Sequence, residues 1–315
     1  MPRRPGQPPG RIVALAGGVG AARFLRGLAG VVDPRRLFVI VNTGDDAEIH
    51  GLRVSPDLDT VTYTLAGLAD PVRGWGLDGD TFHCLEALGR LGAETWFQLG
   101  DRDLATHLFR TGRLRAGATL SAVTREISVA LGVGAAIVPM SDDPVRTRVR
   151  TPAGELDFQT YFVKRGTRDR VLGVRFAGVR RARPAPGVLT AIARARAVIV
   201  CPSNPIISIG PILAVRGIRD ALRRTAAPVV AVSPIVGGRA LKGPAARMMR
   251  GMGMEASAAG VARLYRDFVD RFVVDRADRE PAASIPGAVV TDTVMSTSAR
   301  AEALARAALE AAGRL

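Results

Sequence analysis

Short unbroken apolar runs alternate with segments of helical periodicity along most of the chain. Residues 11–16 (RIVALA), 37–41 (LFVIV), 197–201 (AVIVC) and 228–232 (PVVAV) have strand length and carry apolar side chains for both faces. Residues 272–274 and 288–291 are shorter runs of the same kind. Between them, helical spacing of apolar positions predicts helices over 21–29, 57–68, 80–91, 103–111, 121–131, 209–224, 242–252, 256–268 and 298–312. Pro56 stands at the N1 position of the second of these, Asp80 starts the third, Ser121 caps the fifth, and Pro211 lies near the start of the sixth. Strands buried on both faces and separated by helix-length connections predict an α/β protein: a Rossmann-like parallel sheet covered by helices on both faces.

One stretch breaks the rhythm. Between residues 135 and 182 the pattern becomes short and alternating, at 146–150, 156–163 and 171–176, with Gly- and Pro-containing turns between. This predicts a small β-rich insertion within a core made of residues 11–134 and 183–315. The first ten residues, MPRRPGQPPG, are basic and proline-rich and predict a disordered tail. No apolar run of spanning length occurs and no signal-peptide h-region follows the tail, so the expected location is the cytoplasm, without membrane association.

Charge changes this picture little. The formal net charge is +15, but of forty-four basic residues only Lys164 and Lys242 are lysine, and the arginines are spread along the whole chain. Aromatic content is 5%, so the interleaved basic and aromatic patch of a nucleic-acid binder is missing, and no specific nucleic-acid partner is expected. The surplus suits attraction of anionic small molecules. Two cysteines, Cys84 and Cys201, and three histidines make neither a disulfide framework nor a zinc centre; both cysteines read as small apolar fillers. A hard cation held by oxygen ligands remains open.

Against that basic background, residues 41–67 (VNTGDDAEIHGLRVSPDLDTVTYTLAG) hold five acids: Asp45, Asp46, Glu48, Asp57 and Asp59. Asp45 and Asp46 follow Asn42 and Thr43 at the end of the second predicted strand, where open α/β sheets place their ligands. Upstream, Gly17, Gly18 and Gly20 join the first strand to its helix. Glycines there let backbone N–H groups approach an anion, and Arg23 stands one turn further on. Asp45 and Asp57 are the candidate metal ligands, since Mg²⁺ takes one or two protein carboxylates. Asp45, Asp46 and Asp59 are the candidate catalytic acids, one of them to take a proton from an attacking hydroxyl. Ser203 and Asn204, and then Ser233 and Gly237, occupy two further strand ends suited to phosphate or ribose, and Lys242 is a candidate phosphate contact. Asp101 and Arg102 lie in a third polar run, LGDRDLATH, where a simple ion pair is the competing reading.

Taken in order, LAGGVGAARFLRGL, VNTGDDAEIHGLRVSPDLDTVTYTLAG, RGWGLDGDTF, LGDRDLATH, PMSDDPVRT, PSNPIISIGPIL and VSPIVGG resemble the 2-phospho-L-lactate transferase family, in its bacterial phosphoenolpyruvate transferase branch. The resemblance covers nearly the whole chain beyond the tail. It implies a step of coenzyme F420 biosynthesis. The terminal hydroxyl of the deazaflavin Fo displaces GMP from a GMP-activated phosphoenolpyruvate or phospholactate donor, with Mg²⁺, in a homodimer. Asp59 matches by motif position an aspartate that contacts Fo. Gln98 stands where relatives often carry a basic residue before LGDRD, and Trp75 is placed to stack on the flat deazaflavin. The alternative is a non-catalytic regulator of the same fold that binds a nucleotide-linked ligand; the SPDLDT and LGDRDLATH runs favour the transferase.

Overall fold

A computed structural model describes residues 10–313; the expected tail, apart from Gly10, lies outside them. Seven strands form the main sheet: β1 (Ile12–Ala16), β2 (Leu37–Val41), β3 (Ala136–Pro139), β4 (Ala197–Val200), β5 (Val229–Val232), β6 (Arg271–Asp275) and β7 (Ala288–Thr291). Every pairing is parallel, and the order across the sheet is β7-β6-β5-β4-β1-β2-β3. The chain thus winds outward from β1 in one direction, then returns to β4 on its other side. That reversal opens a crevice at the carboxyl ends of β1 and β4, where doubly wound sheets bind their ligands.

Strand alternation separates two cores. Val13, Leu15, Phe38, Ile40, Val198 and Val200 point into one; Ile12, Ala14, Ala16, Leu37, Val39 and Val41 point into the other. The first helices are α1 (Gly18–Val31), α2 (Pro56–Leu65), α3 (His83–Arg90), α4 (Asp103–Arg115) and α5 (Leu120–Ala130). Helix α1 packs against α2 and against the C-terminal helix Ser298–Ala311. The approach to the C-terminal helix is close because residue 27 is glycine: any Cβ there would collide with the Ala301 backbone.

Several expected boundaries move for local reasons. The β-rich segment exists as an antiparallel sheet of Arg146–Thr151, Gly154–Asp157 and Gly173–Ala177, but its expected start at 135 is too early. Residues Ala136–Pro139 pair with β2 and belong to the main sheet. The small sheet is also not a separate body, since Val149, Phe158, Tyr161 and Val171 are buried in the same core as Val13 and Leu15. Residues 160–164 form a π-helical turn where a strand was expected. The helix expected over 209–224 is two, Ile209–Ala214 and Ile218–Arg224, parted where Val215 turns extended and Gly217 takes φ +88°. Thr119, one residue before α5, supplies the cap expected of Ser121. A hairpin, Ala47–Ile49 with Leu52–Val54, turns through His50 and Gly51, both at positive φ, between the acids of the 41–67 run.

Replacing Gly27 by alanine should force α1 away from the C-terminal helix and lower stability by about 1–3 kcal/mol. Urea denaturation checks this; an unchanged midpoint would mean that the two helices are not held at that distance.

Candidate active site

The glycine loop is held from three sides. The Gly17 N–H donates to the Ser203 hydroxyl at 3.3 Å, which joins the ends of β1 and β4 across the crevice. A Cβ on Gly17 would lie 2.7 Å from an Asp57 carboxylate oxygen and 2.7 Å from Ser208; one on Gly20 would lie 2.6 Å from the Pro202 carbonyl. Gly18 sits at φ +74°, which suits glycine. Helix α1 starts here with no side-chain cap and no acid of its own in the first turn, so its amide dipoles face the crevice.

Asp57 comes from the first turn of α2, yet it also serves α1, accepting from the Gly18 N–H. Its other partner is Asn42, whose amide donates to Asp57 at 2.8 Å and to the Ile207 carbonyl at 3.2 Å. Asp45, Asp57 and Asp59 are buried and Asp46 is half-buried. Burial pushes Asp46 up to about 7, against the pull of Arg146, and Asp57 up to about 6, against its hydrogen bonds from Asn42 and Gly18. Asp45 is raised well above the usual carboxylate range, by burial first and by the Asp57 charge second. One oxygen each of Asp45 and Asp46, and the Thr43 hydroxyl, are buried without a hydrogen-bond partner. Asp46 accepts from Ser55 at 2.9 Å through its other oxygen.

Asp59 differs from its neighbours because a buried cation faces it. Both of its oxygens meet the Arg110 guanidinium, one of them at 3.1 Å. Burial alone would pull Arg110 down; Asp59, by charge and hydrogen bond, carries it above its ordinary value. Arg110 in turn touches His107 Nδ1 at 3.2 Å, His107 Nε2 lies 3.3 Å from Asp103, and the Tyr63 hydroxyl donates to Asp103 at 2.6 Å. Asp103, His107 and Arg110 were not among the expected site residues. Their spacing on α4 puts them on one face, and that buried polar stripe is the signal that would have found them.

The other expected residues divide. Arg23 and Lys242 converge: burial and the Arg23 charge together pull the Lys242 ammonium down. Trp75 is 37% exposed, stacked by Arg73 at 5.6 Å, and the preceding Gly74 packs on Val19 of α1 near Lys242, so this loop borders the crevice. Asp101 instead caps α3, accepting from the backbone N–H groups of His83 and Cys84, while Asp80 reaches back to accept from those of Arg102 and Asp103. Arg102 donates to the Asp78 carbonyl, not to an acid. Asn204 accepts from the Ile206 and Ile207 N–H groups, Ser233 closes on Ile235, and the Gly237 N–H is bound by Asp278. These three shape turns at the strand ends. Gln98 is exposed and has no hydrogen bond among the described residues. Cys84 is exposed, not an apolar filler; Cys201 is buried, and burial pushes its thiol up.

The family described as "2-phospho-L-lactate transferase CofD" matches residues 12–305. The phosphoenolpyruvate transferase of Kitasatospora aureofaciens is 46% identical over 285 residues, 88% of this chain and 89% of that one. The 2-phospho-L-lactate transferase of Methanosarcina mazei is 40% identical over 305 residues, 95% of this chain and 100% of that one. The chain belongs to the 2-phospho-L-lactate transferase family. The expected resemblance is thereby established, and so is the expected fold. A UPF0052-family protein of Bacillus halodurans shares the architecture with a TM-score of 0.62 over 96% of this chain and 100% of its own, at 16% identity. As expected, no helix among the described residues is long and apolar enough to cross a membrane.

Whether this transferase-family site suits Mg²⁺ turns on its donors. No group of three or more His, Cys, Asp or Glu side chains gathers as a metal cage among the described residues. A hard cation that shares its shell with substrate phosphates needs only one or two carboxylates. Asp45 and Asp57 supply oxygen donors of that kind, and the unpartnered Asp45 oxygen fits such a role.

Two predictions follow from the charges. The raised Asp46 and Asp57 contribute stability that is fully present below the ordinary value of 3.8 and lost as pH rises through about 6 and about 7. The melting temperature of metal-free protein should therefore fall between about pH 4 and pH 7, and Asp46→Asn should flatten that fall. A level wild-type curve would return both acids to ordinary behaviour. Arg110→Ala, which strands Asp59 without its cation, should cost about 3–5 kcal/mol in a denaturation experiment; a loss below about 1 kcal/mol would mean that the pair is solvated.

Proposed function

We propose that this protein transfers a phosphoenolpyruvyl or 2-phospholactyl group from a GMP-activated donor to the terminal hydroxyl of the deazaflavin Fo. The products are GMP and dehydro-F420-0 or F420-0. The observation that carries this reading is the junction of an anion-accepting glycine loop with buried carboxylates at the turning point of the sheet. The relatives' names, which include both phosphoenolpyruvate and 2-phospho-L-lactate transferases, support the class of group transferred.

In this reading the acceptor oxygen attacks the phosphorus that carries the three-carbon group. The bond from that phosphorus to the GMP phosphate oxygen breaks, and GMP leaves with the electron pair. The amides of the first turn of α1 beyond Gly18 face the donor's diphosphate, with Arg23 and Lys242 adding charge from the side. Bound at Asp45 and Asp57, Mg²⁺ would neutralise charge on the phosphates. Positioning and neutralisation supply most of the catalysis in such transfers. Asp46 takes the acceptor's proton. It has a buried oxygen with no partner and a proton affinity raised to about 7, matched to neutral solution. Asp59 is clamped by Arg110 and suits orientation of the acceptor better than proton transfer; each of its oxygens keeps a second lone pair for that contact. Trp75 offers its face to the deazaflavin ring.

Purified protein with Fo and Mg²⁺, offered the enolpyruvyl and the lactyl donor in turn, should release GMP and form the product mass with at least one of them. Retained nucleotide binding with no product from either would replace this proposal with a non-catalytic regulator. Asp46→Asn should lower kcat by about 10²–10⁴-fold while leaving GDP affinity near wild type. Near-normal turnover would move the base elsewhere. Gly18→Val should weaken GDP binding, because the left-handed backbone at that position is strained for a branched residue; unchanged affinity would remove the diphosphate from this loop.

A further inference from the structure

A cleft of about 140 Å³ lies directly beside the carboxylates, and of its lining only Asp46 enters the proposal above. Thr43, Asp46 and Ser55 form one wall. Arg53, from the 47–54 hairpin, and Arg146, from the small antiparallel sheet, line it from other elements. Leu114, Leu120 and Pro144 supply an apolar part of the lining.

The two arginines have no ion-pair partner among the described residues, although Asp46, in the same lining, acts on Arg146 by charge. Arg146 donates only to the adjacent Val145 carbonyl, at 2.9 Å. Both are partly buried. Arg146 is held below its ordinary value, by burial first; Asp46 opposes this, while Arg53 and Arg148 add to it by repulsion. The acids at the rim do not supply the missing charge. Asp142 accepts from the N–H and hydroxyl of Ser121, and Asp143 from the Arg183 N–H. Bringing two cations together in a half-buried cleft is costly unless an anion joins them. Guanidinium groups present paired N–H donors that match a planar carboxylate. A phosphate would also be attracted, but the apolar lining next to the arginines suits a group with carbon beside its charge.

We infer that Arg53 and Arg146 form the subsite for the carboxylate of the transferred three-carbon group, with its methylene or methyl carbon against Leu120 and Pro144. This rests on the proposed transferase reading. It makes the donor a ligand read at both ends, its diphosphate at the glycine loop and its carboxylate here. The requirement for an acidic three-carbon group then comes from this cleft and not from the nucleotide site.

The test is calorimetric binding of three ligands: GDP, the lactyl-diphospho-guanosine donor, and the same donor with its carboxylate replaced by a carboxamide. Wild-type protein should bind the carboxylate donor roughly ten- to hundredfold more tightly than the carboxamide. Arg146→Ala and Arg53→Gln should each shrink that ratio towards one while leaving GDP affinity unchanged, and Arg146→Lys, which keeps charge but loses the fork, should fall between. Equal binding of the two donors by wild-type protein, a comparison that needs no variant, would overturn the subsite alone. So would variants that weaken GDP and both donors alike. Binding of GDP with neither donor would overturn the donor reading and the subsite with it.

Discussion

One buried amide holds the site together. Asn42 is fully buried at the end of β2 and uses both of its N–H groups and its oxygen. It donates to Asp57 at the start of α2 and to the Ile207 carbonyl in the loop after β4, and it accepts from the Gly44 N–H. Asp57 in turn meets the Gly17–Gly18 turn at the start of α1. Three strand ends and two helix starts are thus positioned through two side chains. An aspartate at position 42 would put a second carboxylate against Asp57 and lose the donors; an aliphatic residue would leave the Ile207 carbonyl buried and unpaired. Asparagine satisfies both demands because it donates and accepts in one plane.

Four carboxylates lie around that joint, and they are not equivalent. Only Asp59 has a buried arginine against both oxygens. Asp45 and Asp57 depend on hydrogen bonds and amide dipoles, and Asp46 on the charges of Arg146 and Arg110, which form no ion pair with it, and on Ser55; none of these offsets the loss of water around a full charge. The raised proton affinities of these three express that deficit. A protein without a ligand to bring cations and donors into the crevice would gain stability by replacing them. Their arrangement is therefore better explained by what binds there than by the fold, whereas the Asp59–Arg110–His107–Asp103–Tyr63 chain is largely satisfied internally and ties α4 to α2.

Much of this was legible in the sequence. Unbroken apolar runs such as IVALA and LFVIV are buried along their whole length, so strand and sheet type followed from pattern alone. Glycines at 17, 18 and 20 gave the crevice, because each position is closed to a side chain by a neighbour or by its backbone angle. What escaped notice depends on partners distant in sequence. Ala136–Pro139 looks like part of a β-rich insertion until its pairing with β2 is known. Asp101 looks like a ligand until its carboxylate is found on the amides of α3. Arg53 and Arg146 lie more than ninety residues apart, and nothing local to either announces that they face one cleft.

The crossed caps explain why the polar run 99–107 is so dense without adding ligands to the crevice. Asp80 holds the first amides of α4, and Asp101 holds those of α3; each helix is started by an acid from the segment that precedes the other. Such reciprocal capping fixes the angle between two helices that have little shared apolar surface, since Leu85 is the only residue of α3 that is buried. Position is what α4 then transmits. Its buried face carries Asp103, His107 and Arg110, and through Arg110 it sets where Asp59 stands. A motif that reads as a cluster of candidate ligands therefore acts one layer behind the site. Its acids hold backbone, its helix holds an arginine, and the arginine holds the Asp59 carboxylate.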